Sequence, residues 1–412
     1  MTEASHSLFD SLRVLELAGE LGAYTGKLFA DLGADVIRIE PLAGDPTRQR
    51  RPFFQAAAGR ENSLRYQYLN TNKKAMALDL TDPAAGEILR RLIRTADLCL
   101  ESYPPGYLDR LGLGYENLSQ INPRLVHTAI TPYGQSGPYK DYPYSDLTSL
   151  AMGGMLYLAG IEAEKPARVP DNQSFFQADL YAAYASIVAL YHADATEEGQ
   201  FVDVSIQESV TTALENAIQT YDLEGRIRRA AGSVEAGYGA YACQDGYVYV
   251  MAAMGRNAYL WDPLVQWMAE KNIPEAEILA EDRWKDPEYR KLEEAKTTFK
   301  RIFETFSRQY RKEELYEESQ KRKVVIYPVN SAKDVLENPQ LAHRSFFKHM
   351  YVASLGSNLC YPGAPYALEK MVWQLRAPAP VFGQDTAGIL GNLGYGPEEI
   401  QALVERGVAY VR

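Results

Sequence analysis

Three cysteines in 412 residues, Cys99, Cys243 and Cys360, share no CxxC spacing and leave an odd number. That argues against a disulfide framework or a thiolate metal site, and a reducing cytoplasm fits better than secretion. No stretch approaches 18 uninterrupted apolar residues, and the opening MTEASHSLFDSL lacks a basic segment leading into an apolar run. Neither a membrane span nor a signal peptide is therefore expected. Basic residues are also short: 43 Lys and Arg against 54 Asp and Glu leave a net charge near -11. Nucleic acid and anionic membranes are disfavoured as general partners, although a local basic pocket for a phosphate ligand is not. No metal site is expected.

What is present is a globular composition. At 46% apolar residues the chain can fill two or three domains, or one large α/β unit with a smaller appendage. Tyr is frequent at 29, against 13 Phe and 4 Trp, which suits half-buried interfaces as well as ordinary packing. RVLELA, GAYTGKLFADLG and ADVIRIE read strand, helix, strand, the pattern of a parallel βαβ unit. Glu40 closes the second strand, where a dinucleotide-binding fold would hold a ribose, but Gly19, Gly22 and Gly26 do not form GxGxxG. ADLCLE and PRLVHTAIT continue the strands, Thr81 or Asp82 with Pro83 opens a helix, and Asp179 to Ala195 suits a long packed helix. YACQDGYVYVMAA reads as a hairpin turning at Asp245-Gly246. Cys99 and His127, each in an apolar strand, read as an inert core thiol and a satisfied core histidine.

Four blocks stand out: VLELAGELGAYTGKLFADLGADVIRIE (Val14 to Glu40), LNTNKKAMALDL (Leu69 to Leu80), ESYPPGYLDRLGLGYENL (Glu101 to Leu118), and the run from Ala167 to Asp203 that includes DNQSFFQADLYAAYA and EEGQ. In this order they resemble the family III CoA-transferases. The resemblance implies an α/β fold with a large Rossmann-like parallel-sheet domain made from both chain ends, a small α+β domain, and an interlocked ring-like dimer. The expected division is 1–223 for the first part of the large domain, 224–237 for a linker, 238–322 for the small domain, and 323–412 for a return linker and the rest of the large domain. VVIYPVN (Val324 to Asn330) resembles the family's return strand. Chains that thread through one another form an obligate dimer.

In active relatives a GD step opens the small-residue helix ahead of a GxGQ turn. That aspartate attacks an acyl-CoA thioester to give a mixed anhydride, CoA converts this to an aspartyl-CoA thioester, and the acceptor acid then takes the CoA. Backbone N–H groups stabilise the oxyanions. Counting back from Glu197–Gln200 without a gap puts Phe175 at the nucleophile position, and an aromatic ring cannot attack a thioester. The resemblance thus implies a non-catalytic subunit beside a catalytic paralogous subunit, in an interlocked heterodimer or heterotetramer. Coenzyme A and acyl-CoA would pass through as substrates with a carboxylic acid, the donor being succinyl-CoA and the acceptor an aromatic succinate; no permanently bound cofactor is implied.

Two alternatives stay open. Asp171 and Asp179, four residues to either side, could serve as a displaced nucleophile in an active homodimer, although four helical residues shift a group by about 6 Å. Taken alone, Asp171 reads as a turn residue and Asp179 as a charge at a helix N-terminus. The chain could also be a non-enzymatic acyl-CoA-binding regulator. A racemase of the superfamily would need a His-Asp pair where Ser145-Asp146 stands. For CoA, residue-by-residue carry-over places the adenine-contacting leucine on Leu78, the Asn-Phe pair on Ser102-Tyr103 and the phosphate-binding arginine on Arg110; Lys73-Lys74 match a turn near the phosphates, and Gly19-Glu20 replace residues, often ending in Gln, that border the cleft in relatives. Gln384-Asp385-Thr386 departs from a tail motif that often has His before Thr.

Overall fold

The structure, a computed structural model, describes residues 7–57, 59–160, 166–228, 235–254, 256, 258–370 and 373–412. Residues 1–6 of the opening segment and 229–234 of the expected linker lie outside the described residues. The chain divides into two compact units, one comprising Met1–Tyr157, Arg168–Arg228 and Ala342–Arg412, the other Leu158–Ala167 and Arg229–Leu341.

The first unit is built on a seven-stranded sheet. Its strands are β1 (Arg13–Leu17), β2 (Asp35–Glu40), β3 (Lys74–Leu78), β4 (Leu98–Glu101), β5 (Val126–Thr131) and β6 (Phe201–Ser205), with β12 (Ala409–Tyr410) at one edge. The order is β12-β3-β2-β1-β4-β5-β6. Every pair is parallel except β12 with β3, which is antiparallel. The central strands are near-continuous apolar runs because helices cover both faces of a parallel sheet. Those helices include α1 (Ala23–Asp31), α2 (Leu64–Leu69), α3 (Pro83–Ile93), α4 (Tyr107–Arg110), α5 (Tyr115–Leu118), α6 (Asp146–Met152), α7 (Met155–Leu158) and α8 (Gln173–Thr196).

Local chemistry fixes their ends. Asp82 caps α3 by accepting from Ala84 N–H, with Pro83 in the first turn. Gly22, at φ +92°, is the left-handed N-cap residue of α1. Gly26 lets α1 lie directly over β1, since a Cβ there would stand 1.7 Å from Glu16 Oε2. The C-terminal segment joins the same sheet: Asp385 Oδ2 accepts from Ala75 N–H at 2.8 Å and Thr386 Oγ1 from Ala77 N–H at 3.1 Å.

Strand order reverses at β1 and β4, whose chain directions agree. In such open sheets ligands bind beyond the carboxyl ends of the strands at the switch point. Here that is where β1 runs into Gly19 and β4 into Ser102.

The second unit has a three-stranded antiparallel sheet, β7 (Tyr238–Cys243), β8 (Gly246–Met251) and β9 (Ile326–Pro328). It packs on a core that includes stacked Trp261 and Trp284 and the Phe299, Phe303 and Phe306 face of the helix Glu293–Ser307. Part of Val324 to Asn330, read above as a return strand, is thus the third strand of this sheet. A hairpin of β10 (Phe347–Val352) and β11 (Ser357–Pro362) belongs to the first unit. Among the described residues no helix is long and apolar enough to cross a membrane.

Candidate functional site

A cleft of about 1150 Å³ opens in the first unit at the carboxyl ends of β1 to β4. Residues 17–21 at the end of β1, 39–42 at the end of β2, 78–81 at the end of β3 and 102–103 after β4 line it, and the start of α8 closes its far end with Asn172 and Phe175.

The wall beyond β2 is held by buried ion pairs. Arg48 binds Glu40 through two hydrogen bonds, Nε to Oε2 at 2.8 Å and Nη2 to Oε1 at 2.7 Å, and lies over the Tyr66 ring at 3.8 Å. Arg38 binds both Glu16 and Asp45. Burial works to raise the Glu40 and Asp45 carboxyls, yet the arginines hold both below the usual range. Glu40 is therefore committed to the fold, and the ribose-binding reading of that position is set aside.

At the far end, Asp146 Oδ1 accepts from Ser174 N–H at 3.0 Å and from Ser174 Oγ–H at 2.8 Å, satisfying the first turn of α8. Its Oδ2 is buried without a hydrogen-bond partner, with Arg168 Nη2 at 3.7 Å. Glu20 Oε1 accepts from Arg65 Nη1 and from Asn172 Nδ2, each at 2.6 Å. Between these groups the half-buried Phe175 faces the cleft, its ring 5.9 Å from that of Tyr144.

The sequence candidates divide on this frame. Leu78, Ser102, Tyr103 and Phe175 come together in the cleft. Ser102 Oγ accepts from Gly19 N–H at 3.0 Å, so it steadies the loop after β1, and Tyr103 stacks on Tyr107 at 4.6 Å. Arg110 is exposed and absent from the lining; its guanidinium sits 5.9 Å from the Tyr107 ring. Lys73 and Lys74 are also elsewhere. Lys73 is buried on Glu16, Ala23 O and Asn70, and burial pushes it down to about 8, whereas Lys74 pairs with Asp35. His127 is buried but not satisfied as expected, since Glu101 stands 3.4 Å from Nε2 without hydrogen-bond geometry. Cys99 is buried in β4, and burial raises its thiol. Among the described residues no group of three His, Cys, Asp or Glu side chains could hold a metal.

Neither Asp171 nor Asp179 stands free in the cleft. Asp171 is an exposed turn residue at φ +59°, paired with Arg65 at 3.2 Å. Asp179 is buried and accepts from Gly22 N–H at 2.8 Å and Tyr24 N–H at 3.0 Å. It caps α1 from the neighbouring helix; burial pushes it up to about 7 against the pull of those two amides. Sequence reasoning missed Arg65 and the capping role of Asp146, because neither sits in a motif and both act across long sequence separations.

A family model described as CoA-transferase family III matches residues 9–386. The chain belongs to family III of the CoA-transferases. It is 47% identical over 402 residues to the succinyl-CoA:(R)-benzylsuccinate CoA-transferase subunit BbsE of Thauera aromatica, covering 98% of each chain. Human succinyl-CoA:glutarate CoA-transferase is 29% identical, with 97% of this chain and 89% of that protein covered. A solved CAIB/BAIF family protein from Brucella suis superposes with a TM-score of 0.82 at 25% identity, over 93% of this chain and 98% of that one. Membership makes CoA thioesters the substrates of the family to which this cleft belongs.

Proposed function

We propose that this chain is the non-catalytic subunit of a heteromeric CoA-transferase, which passes CoA from succinyl-CoA to (R)-benzylsuccinate, a step of anaerobic toluene degradation. The observation that carries the reading is Phe175. Counted back without a gap from the EEGQ turn, it takes the position of the aspartate of active relatives, and its ring lines the cleft. Asp171 is held by Arg65, and Asp179 spends both oxygens on backbone amides, which speaks against either as a displaced nucleophile.

The substrate assignment rests on the likeness to the BbsE subunit. Leu78 and the Tyr103–Tyr107 stack would meet the adenine and Ser102 would shape the adjoining loop, while Arg110 would reach a phosphate from the rim. The partner would be a catalytic paralogue, interlocked with this chain as a heterodimer or heterotetramer in the cytoplasm. A large domain from both chain ends and a small domain between them would be joined by two linkers, one at 224–237 and one returning after 322, that make such interlocking possible.

Helix α8 supports a partner. Its buried face is small, with Ala178, Ala182, Ser186, Ala189 and Ala193, whereas Leu180, Tyr184, Ile187, Val188 and Tyr191 are exposed on the other side. A helix apolar on both faces is normally covered on both.

The test is CoA transfer from succinyl-CoA to benzylsuccinate by this chain alone and after coexpression with a paralogue that retains the GD step. Activity is expected only in the mixture, and Asp171→Asn and Asp179→Asn in this chain should leave turnover per folded complex unchanged. Turnover by the isolated chain, lost on either substitution, overturns the reading.

A further inference from the structure

Resting on the reading of this cleft as a CoA-thioester site, we propose that Glu20 is an acidic gate that bars anionic acyl groups from this chain's own cleft. An acyl chain ending in a carboxylate would need a free cation beside Phe175. Of the four arginines that line the cleft, Arg50, Arg65 and Arg168 are each matched by a carboxylate at this end, and Arg51 lies instead over the Phe53 ring at 5.9 Å. Arg65 carries two carboxylates, Glu20 at 2.6 Å and Asp171 at 3.2 Å. Arg50 lies 3.9 Å from Glu20, and Arg168 lies 3.7 Å from Asp146.

Three acids therefore neutralise three bases before any ligand arrives. The side chain of Glu20 is only 15% exposed and is clamped on one oxygen by both Arg65 and Asn172. It fills the carboxylate position of a bidentate-capable guanidinium, as an incoming acid would. Neutral acyl chains meet no such penalty against Phe175 and Tyr144. Like-charge juxtaposition of this kind discriminates by repulsion. The subunit then leaves its acidic thioester substrate to the catalytic partner.

Two unreactive CoA thioethers, one with a butyl and one with a carboxypropyl chain, provide the test by equilibrium binding. The protein is the full chain, with its catalytic partner where the two copurify; thermal melting verifies the fold of each variant. The butyl thioether should occupy this chain, and the carboxypropyl thioether should bind it at least tenfold more weakly. Glu20→Gln, which keeps the shape and removes the nearer of the two carboxylates on Arg65, should close that gap, while Glu20→Asp should preserve it. Equal binding of both thioethers by the unaltered chain, or a gap that survives Glu20→Gln, overturns the gate and leaves the subunit assignment standing on its transfer assay. Binding of neither thioether to this chain in any variant overturns both the gate and the view of this cleft as a CoA site.

Discussion

Arg48 commits its guanidinium to Glu40, Glu61, Pro380 O and the Tyr66 ring, and thereby fixes the cleft wall after β2. Arg48→Met would strand a buried Glu40 charge, and we expect a loss of about 3–5 kcal/mol in urea unfolding. Adding Glu40→Gln should recover much of it; a loss under about 1 kcal/mol would contradict the buried-pair account. Asp179 makes a second prediction at this scale. Asp179→Asn leaves one of the Gly22 and Tyr24 amides facing an NH2, at a cost of about 1–3 kcal/mol. Because burial raises the Asp179 carboxyl from 3.8 to about 7, the folded chain takes up a proton at a pH where the unfolded chain does not. Its stabilising contribution is complete below about pH 4 and is lost as pH rises through 7. Unfolding free energies measured across that window should therefore show the advantage of the unaltered chain over Asp179→Asn growing as pH falls. Phe175 and Glu20 were legible in the sequence as departures from a family pattern. The partners of Glu20 were not, since Arg65 and Asn172 reach it from 45 and 152 residues away.

Helix α8 shows why an element can be legible and its role hidden. Its small and apolar residues predict a long packed helix, and Gln173–Thr196 forms one. Which side packs could not be read, because the apolar character runs around the whole helix. The structure places the alanines inward, where α8 meets α1, β5 and β6, and leaves the tyrosines outward. Tyr184 and Tyr191, 68% and 78% exposed, are the most exposed rings on that face. Tyr184→Asp with Tyr191→Asp should abolish copurification of the catalytic paralogue while leaving the circular dichroism of this chain unchanged. Retention of the partner by that double variant would remove α8 from the interface. The α1 N-terminus illustrates the reverse case: its glycine was visible, yet its cap is supplied by another helix 157 residues later.

For the whole molecule, equimolar assembly with a catalytic paralogue is the expected outcome, readable by light scattering of the coexpressed pair; a homodimer of this chain with full transfer activity would contradict it. The alternation of apolar runs and helical spacing in the first 130 residues determined an α/β architecture, because parallel strands buried on both faces leave a continuous apolar signature. The four family blocks determined the chemistry to be expected, and an ungapped count back from Glu197–Gln200 put Phe175 at the expected nucleophile position. The edge strand at Ala409–Tyr410, two residues long, had no signature of its own and exists by pairing with β3. The convergence of Glu20, Arg65, Asp146 and Phe175 at one end of the cleft was likewise decided only by the tertiary structure. Side-chain pairing across a sheet's switch point depends on where loops return in space, and sequence spacing carries no record of that distance.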